Sequence, residues 1–247
     1  MRLSEHQLQA GRFLFRWRSY LPLALLPIFA LGLANFRYPF GSHRLAAVWE
    51  LACLAVALLG LAIRVTVVGT VPAGTSGRNM SAQKADALNV TGMYSVVRHP
   101  LYIANYLIFL GLALMPFQWE VPAIVTLAGA LYYERIILVE EEFLEQRHGE
   151  AFRTWAARTP AMIPRWSGWE PPSLPFSWRT ALKGEIYAAF AIISGFGAMD
   201  LVERRLVEGE FRLDAMWTWL FAAGAVAFYV VRGLKKGTTA LAVEGRP

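Results

Sequence analysis

The chain has 247 residues, of which 56% are hydrophobic and 17% are charged, and its formal net charge is +6. This composition is too apolar for an ordinary water-soluble domain of the same length. The positive charge does not indicate nucleic-acid binding, because the basic residues gather at the borders of apolar blocks, where membrane topology places them.

Six apolar blocks along the chain predict membrane spans. A transmembrane helix needs about 20 mostly apolar residues. The blocks are residues 21–36, 48–68, 101–119, 121–139, 186–202 and 216–231. We therefore predict an all-α fold, a polytopic transmembrane helix bundle of about six spans.

The basic residues divide unevenly between the two sides of such a bundle. One side carries the basic loop after the fourth span. The other basic residues on that side are Arg2, Arg12, Arg16, Arg18, Arg78, Lys84, Arg98, Arg232, Lys235, Lys236 and Arg246. The other side carries Arg37, Arg44, Arg204, Arg205 and Arg212. The positive-inside rule then predicts an integral protein of the cytoplasmic (inner) membrane, with both termini in the cytoplasm. We expect the first span to be retained rather than removed as a signal.

Two features are interpreted as structural. Cys53 is the only cysteine and lies within a predicted span, so we expect neither a disulfide nor a thiolate metal site, and the predicted site contains no metal. The polar loop 69–98 contains Gly74-Thr75-Ser76-Gly77, which lacks the lysine and the strand–loop–helix context of a phosphate-binding loop. We interpret it as a flexible solvated segment.

The third and fourth blocks are separated by a short stretch that contains Pro116. Proline interrupts a helix because it lacks an amide hydrogen and clashes with the preceding turn. The two blocks therefore predict an antiparallel helical hairpin, in which the start of one helix, near Arg98, lies beside the end of the other, near Glu140.

The segment after the fourth block is amphipathic. Apolar Phe143, Leu144, Phe152 and Trp155 alternate there with acidic and basic residues, and Pro160 ends the pattern. This predicts a cytoplasmic amphipathic helix that lies along the membrane surface or caps the hairpin. A connector rich in proline and tryptophan follows it before the last two blocks.

The first candidate site lies at the mouth of the third block, in the sequence Gly92-Met93-Tyr94-Ser95-Val96-Val97-Arg98-His99-Pro100-Leu101-Tyr102. Pro100 has a structural interpretation, because proline is favoured in the first helical turn. Arg98 has one as well, because arginine is a common anchor at a membrane boundary. The alternative is that this segment binds a ligand.

The second candidate site is a run of carboxylates at the end of the fourth block, Glu140-Glu141-Glu142 and Glu145. Carboxylates one helical turn apart repel one another. They form either a solvated face with cationic partners such as Arg147 or a site that holds a cation. The hairpin favours the second interpretation, because it places the run beside Arg98.

These two motifs and their spacing resemble the isoprenylcysteine carboxyl methyltransferases and their relatives, the phospholipid methyltransferases. That family has a G-x-Y-x-x-x-R-H-P-x-Y-x-G motif and, one hairpin later, an E-E-x-x-L-x-x-x-F-G-x-x-Y-x-x-Y motif. The resemblance covers residues 48–165 and divides the chain into an N-terminal part, 1–47, a methyltransferase core, 48–165, and a C-terminal part, 166–247. Four positions depart from the pattern, namely Ala104, His148, Phe152 and Trp155. We expect Ala104 to permit the close approach of the usual glycine, and His148 to lie at the surface.

The resemblance implies an enzyme, a methyltransferase that uses S-adenosyl-L-methionine. By position in the motifs, the implied cofactor-binding residues are Tyr94, His99, Pro100, Tyr102, Glu140 and Glu141. The implied catalytic residues are Arg98 and Glu141. Arg98 either pairs with an anionic methyl acceptor or clamps the glutamates across the hairpin.

The acceptor is expected to be a lipid or a prenylated membrane substrate. O-methylation of an anionic group, either an isoprenylcysteine-type carboxylate or a lipid phosphate, is the preferred reaction, and N-methylation of a phospholipid amine is an alternative. Two other classes stay open. One is an NADPH-dependent sterol-type membrane reductase. The other is a channel or scaffold, in which Arg64, Glu134 and Arg135 would line a polar path.

Overall fold

The computed structural model describes residues 3–73, 75 and 87–246. Most of the Gly74–Gly77 stretch lies outside these ranges, as do the basic residues Arg2, Arg78 and Lys84.

Within the described ranges the chain folds into nine α-helices and forms no strand. The helices are α1 Leu3–Trp17, α2 Leu26–Ala34, α3 His43–Thr70, α4 Met93–Val96, α5 Pro100–Leu114, α6 Glu120–His148, α7 Glu150–Arg158, α8 Trp178–Val207 and α9 Ala215–Gly237. The prediction of an all-α membrane bundle is confirmed.

The apolar helices fit an integral membrane protein. Helices α3, α6, α8 and α9 are long and apolar enough to cross a bilayer, and a fifth candidate span is the pair His6–Trp17 and Leu21–Ala34, which is bent by 95°. Helix α5 is apolar but has only 15 residues. The six predicted blocks thus correspond to four long helices, α5 and the apolar part of the bent pair, which agrees broadly with the prediction of about six spans.

Helices α5 and α6 form the predicted antiparallel hairpin. Pro100 occupies the first turn of α5, and the helix ends at Leu114, just before Met115-Pro116. The turn is held to neighbouring elements by Gln118, whose side-chain amide donates to the Gly32 carbonyl at 3.0 Å. The hairpin places Pro100 at the same end of the bundle as the acidic end of α6.

Helices α3 and α5 pack with their backbones close together. A methyl group added to Gly60 on α3 would lie 2.5 Å from the carbonyl oxygen of Ala104 on α5. One added to Gly111 on α5 would lie 2.6 Å from the carbonyl oxygen of Cys53. Small residues at an interface allow membrane helices to approach in this way. Ala104 is therefore small enough for the close approach that we expected of it.

The C-terminal helices share a core with the rest of the bundle. Side chains of α8 and α9, among them Phe196 and Trp217, pack against Cys53 and Ala57 of α3. A buried ion pair adds to this contact, because Arg64 on α3 binds Glu185 on α8 with nitrogen–oxygen distances of 2.6 and 3.0 Å. The three-part division of the chain at residues 47 and 165 stays a prediction.

Both terminal segments lie at the end of the bundle that carries the start of α5. Helix α1 packs on the last part of α6, and Arg12 lies 3.3 Å from Glu142. In the C-terminal tail, Arg246 donates to the carbonyl of Gly69, the penultimate residue of α3, at 2.6 Å. The two terminal segments thus lie at the same end of the bundle, as predicted. That this end faces the cytoplasm stays a prediction.

A buried arginine lies at the opposite end of the bundle. Arg204, which was predicted on that side, is buried in the last part of α8. It binds Asp214 at 2.6 Å and Glu208 at 2.8 Å. A buried arginine needs such partners, because an unpaired charge away from water is costly.

Candidate functional site

The two predicted motifs meet at the open end of the α5–α6 hairpin. His99 is the residue before α5 and is 5% exposed, and its Nε2 lies 2.9 Å from Oε1 of Glu141 on α6. One turn into α5, the Tyr102 hydroxyl donates to Oε2 of Glu140 at 2.5 Å. The second ring nitrogen of His99 lies 3.7 Å from the same oxygen of Glu140. His99 therefore stands between two adjacent carboxylates.

Arg98 reaches the same glutamates from the side. Its Nε lies 2.9 Å from Oε1 of Glu141, although this N–H is not aligned as a hydrogen bond. Its Nη1 donates to the carbonyl of Ala156 on α7 at 2.8 Å. Arg98 thus ties α7 to the end of α6, which supports the clamping role. The role in binding an anionic acceptor stays a prediction.

Tyr94 and Pro100 lie at the edges of this group. The backbone carbonyl of Tyr94, on α4, accepts a hydrogen bond from the Trp155 indole at 3.0 Å. Burial raises the pKa of the Tyr94 phenol above its usual value, and the charge of Glu140 adds to the effect. Pro100 is fully buried and sets the start of α5.

The connector after α7 forms the base of the site, which the sequence did not predict. The Arg98 amide donates to the Pro160 carbonyl at 2.9 Å, and the Arg165 amide donates to the Val96 carbonyl at 2.9 Å. The Gly92 amide donates to the Glu170 carbonyl, also at 2.9 Å. Gly92 has φ +60, a backbone conformation that glycine adopts readily. These contacts join backbone groups, which carry no side-chain signal in the sequence.

An aromatic stack extends the site into the bundle. The rings of His99 and Tyr102 stack with centroids 5.6 Å apart, and Tyr102 stacks on Tyr133 of α6 at 5.2 Å. Tyr133 was not among the predicted residues. It lies two helical turns before Glu140, on the same face of α6, and that spacing is the signal that would have identified it.

The amphipathic helix after the hairpin is present as α7, whereas Phe143 and Leu144 belong to α6. Gly149 separates the two helices with φ +53 and ψ −122, a backbone conformation that glycine adopts readily because it has no Cβ. Phe152 and Trp155, which stand at the tyrosine positions of the motif, are buried. His148 is half-buried and its Nε2 is enclosed, so the expected surface position is only partly found.

The two central glutamates each keep one oxygen available. Within the described ranges, the contacts of Glu140 involve Oε2 and those of Glu141 involve Oε1. The side chains are 33% and 23% exposed. The remaining oxygens, Oε1 of Glu140 and Oε2 of Glu141, can accept hydrogen bonds from amino or hydroxyl groups or hold a cation.

In the part of the chain that the structure describes, no group of histidine, cysteine, aspartate and glutamate side chains has the geometry to hold a metal ion.

Fold and site together define an all-helical membrane protein with a paired-glutamate site at the end of a helical hairpin. Residues 49–151 match the family model described as phospholipid methyltransferase. The resemblance that the motifs indicated is confirmed.

Two curated relatives carry names from metal resistance. The chain is 37% identical over 128 residues to the cobalt-zinc-cadmium resistance protein CzcN of Cupriavidus metallidurans, which covers 52% of this chain and 57% of the relative. It is 35% identical over 119 residues to the nickel-cobalt-cadmium resistance protein NccN of Alcaligenes xylosoxydans xylosoxydans, which covers 48% of this chain and 55% of the relative. The chain thus spans about half the length of the curated relatives it matches. No solved structure matches the chain significantly.

Proposed function

We propose that this protein is an S-adenosyl-L-methionine-dependent methyltransferase that acts on a membrane-embedded acceptor. The observation that carries the proposal is the arrangement of Glu140 and Glu141. Each carboxylate is fixed through one oxygen by a residue of the opposing motif, and each presents the other oxygen. This arrangement lies inside the segment that matches the phospholipid methyltransferases.

The chemistry of these donors fits the cofactor. S-adenosyl-L-methionine supplies the methyl group when bound, and it carries a cationic sulfonium, an amino group and two ribose hydroxyls. Oε1 of Glu140 and Oε2 of Glu141 suit the amino group and the hydroxyls. The face of Tyr94 suits the sulfonium, since an aromatic ring attracts a cation by about 0.5–2 kcal/mol.

The other residues orient the pair and exclude water. His99 and Arg98 both bind Oε1 of Glu141, so that they fix the direction of its second oxygen. Helix α7 covers the site through the contact between Arg98 and Ala156. Alignment of two reactants can contribute about 7–11 kcal/mol to catalysis.

We further propose that the acceptor is anionic, either an isoprenylcysteine-type carboxylate or a lipid phosphate. Such an oxygen is ionised at neutral pH, so that no general base is required to activate it. Arg98 is the cation that would balance its charge. An amine acceptor would first have to lose a proton, and a methylation rate that rises steeply above neutral pH would then replace our assignment with N-methylation.

The cofactor assignment is tested by binding of S-adenosylhomocysteine to the purified protein in detergent. Glu140→Gln and Glu141→Gln should each weaken binding by about tenfold or more, since a hydrogen bond to a charged group contributes about 1.5–3 kcal/mol. Glu145→Gln is the matched control, because Glu145 lies one turn further along α6 and pairs with Arg153. Unchanged affinity in both site variants would remove the glutamates from the site. Binding of NADPH in place of S-adenosylhomocysteine would assign the reductase class.

The acceptor is identified by incubating membranes with methyl-labelled S-adenosyl-L-methionine and then extracting the lipids. Label in the lipid fraction supports a phospholipid acceptor. Label in protein that base releases as methanol supports a prenylcysteine carboxylate, because methyl esters are base-labile. No label above that of the Glu141→Gln protein would refute methyl transfer to either acceptor.

The names of the two relatives favour a second, compatible role. We propose that methylation of a membrane component contributes to resistance against divalent transition-metal cations. Cells that express the wild-type protein should then grow at higher cobalt, zinc or cadmium concentrations than cells that express Glu141→Gln. Equal resistance in the two strains would separate the resistance from the paired-glutamate site.

A further inference from the structure

Helix α1 presents two kinds of exposed side chain on one face. Arg12 and Arg16 lie on one flank of this face, and Phe13 and Trp17 lie on the other, as the helical spacing requires. Phe13 is 58% exposed, Trp17 is 45% exposed, and Tyr20 just beyond the helix is 56% exposed. The rings follow one another at centroid distances of 6.4 and 6.1 Å.

The position of α1 along α6 fixes its depth. Gly11 packs against the backbone of Arg135, and Arg12 lies 3.3 Å from Glu142. This stretch of α6 is where its sequence changes from apolar to charged, beginning at Glu134. Charged residues mark the level at which a span leaves the hydrocarbon. Helix α1 therefore lies at the level of the lipid head groups.

The direction of α1 agrees with this depth. The axis of His6–Trp17 is bent by 95° from that of the apolar segment Leu21–Ala34. Leu33 of that segment belongs to the core formed with α3 and α8. The chain thus changes direction sharply where its composition changes from amphipathic to apolar.

The charge of the face defines its partner. Arg16 is exposed and has no ion-pair partner within the described ranges, and the Arg12 side chain is 64% exposed despite its contact with Glu142. Arginine side chains beside aromatic rings at this depth match the phosphate groups of anionic lipids, with the rings placed in the upper acyl region.

We propose that α1 and Tyr20 form an interfacial surface that binds anionic phospholipid head groups, with Arg12 and Arg16 on the phosphates. This surface lies outside the segment 49–151 and is distinct from the paired-glutamate site. This surface lies where α1 contacts α6 beside Glu142, the residue that follows Glu141 of that site.

The test uses the full chain with Cys53→Ser and Gln9→Cys, so that position 9 carries the single cysteine. This residue is labelled with an environment-sensitive fluorophore, and the protein is reconstituted in vesicles of phosphatidylcholine and phosphatidylglycerol. Gln9 lies on the exposed face of α1. Spin-labelled phosphatidylglycerol should quench the probe at least twice as strongly as the same amount of spin-labelled phosphatidylcholine. High salt should abolish the difference, because it screens exposed charges.

The double variant Arg12→Gln, Arg16→Gln should lose this preference. Arg37→Gln with Arg44→Gln is the matched control, which removes the same charge from exposed residues away from α1 and should keep it. Retained binding of S-adenosylhomocysteine in the double variant excludes misfolding as the cause. Equal quenching by the two lipids in the wild-type chain would overturn the proposal. Quenching that falls when labelled protein is diluted with unlabelled protein would overturn it too, by assigning the face to a second copy of the chain.

Discussion

At the residue scale, the geometry of the candidate site depends on the few hydrogen bonds and ion pairs that orient each carboxylate. Glu140 accepts a hydrogen bond from the Tyr102 hydroxyl at 2.5 Å, and within the described ranges its other hydrogen-bond or ion-pair contact is with the His99 ring at 3.7 Å. A carboxylate that is fixed through one oxygen keeps its second oxygen in a constant direction. The orientation of Glu140 thus depends mainly on one hydroxyl group.

Tyr102→Phe removes that hydroxyl and keeps the ring that stacks between His99 and Tyr133. We expect S-adenosylhomocysteine to bind about tenfold more weakly, because a hydrogen bond to a charged group is lost. Tyr106→Phe is the control on the same helix, since the Tyr106 hydroxyl contacts Thr126 at 3.0 Å and not the glutamates. Titration calorimetry on the two purified variants measures both affinities. Equal affinities would show that Glu140 does not need the hydroxyl.

The sequence predicted the side chains of this site better than its backbone. Arg98, His99, Glu140 and Glu141 were found from two motifs and a hairpin, because proline and apolar length determine where the hairpin turns. The contact of Arg98 with the Ala156 carbonyl was not found. Any residue can provide a carbonyl, so the identity of residue 156 contains no information about this bond.

At the element scale, a buried polar group joins three helices below the site. Arg64 of α3 binds both carboxylate oxygens of Glu185 on α8, and its third contact is the Asn105 side-chain oxygen on α5 at 2.6 Å. Asn105 lies one turn after Tyr102. The sequence identified Arg64 as an intramembrane charge but not its partner, because the pair is separated by 121 positions.

Glu185→Gln should destabilise the protein by about 3–5 kcal/mol, because it leaves the Arg64 charge buried without a counter-charge. Glu120→Gln, an exposed residue at the start of α6, is the control and should change stability little. Thermal unfolding in detergent measures both. Arg64→Met combined with Glu185→Leu should recover most of the loss, since apolar residues can replace a buried pair. A double variant as unstable as the single one would mean that the charge pair itself is required.

The N-terminal segment was the least predictable element. Its basic residues were interpreted as topological markers in front of a span, and that interpretation stays a prediction. The structure adds that they lie on the amphipathic helix α1, which the sequence did not predict. This omission has a physical reason. Charge that lines one face of an interfacial helix and charge that flanks a span have the same composition, and a bend of 95° between them has no sequence signal of its own.

At the scale of the whole molecule, the segment that matches the family is held from outside at both ends. Near the site, α1 and the C-terminal tail contact α6 and α3 through Arg12 and Arg246. At the far end, α9 contacts α3 through Trp217, whose indole donates to Oε2 of Glu50 at 2.6 Å. The flanking helices therefore stabilise the hairpin geometry without adding to the paired-glutamate group.

This separation predicts that stability and ligand binding respond differently to changes at the two ends. Trp217→Phe removes the indole N–H and leaves the Glu50 carboxyl buried without its donor, which should cost about 1–3 kcal/mol of stability. Trp219→Phe is the matched control, because Trp219 lies on the same helix and is 76% exposed. Thermal unfolding should distinguish the two variants. S-adenosylhomocysteine should bind both with the wild-type affinity, since Glu140 and Glu141 lie at the opposite end of the bundle from Trp217. Weaker binding by the Trp217 variant would mean that the two ends are coupled through α3, and the site would then have to be described as part of the whole bundle.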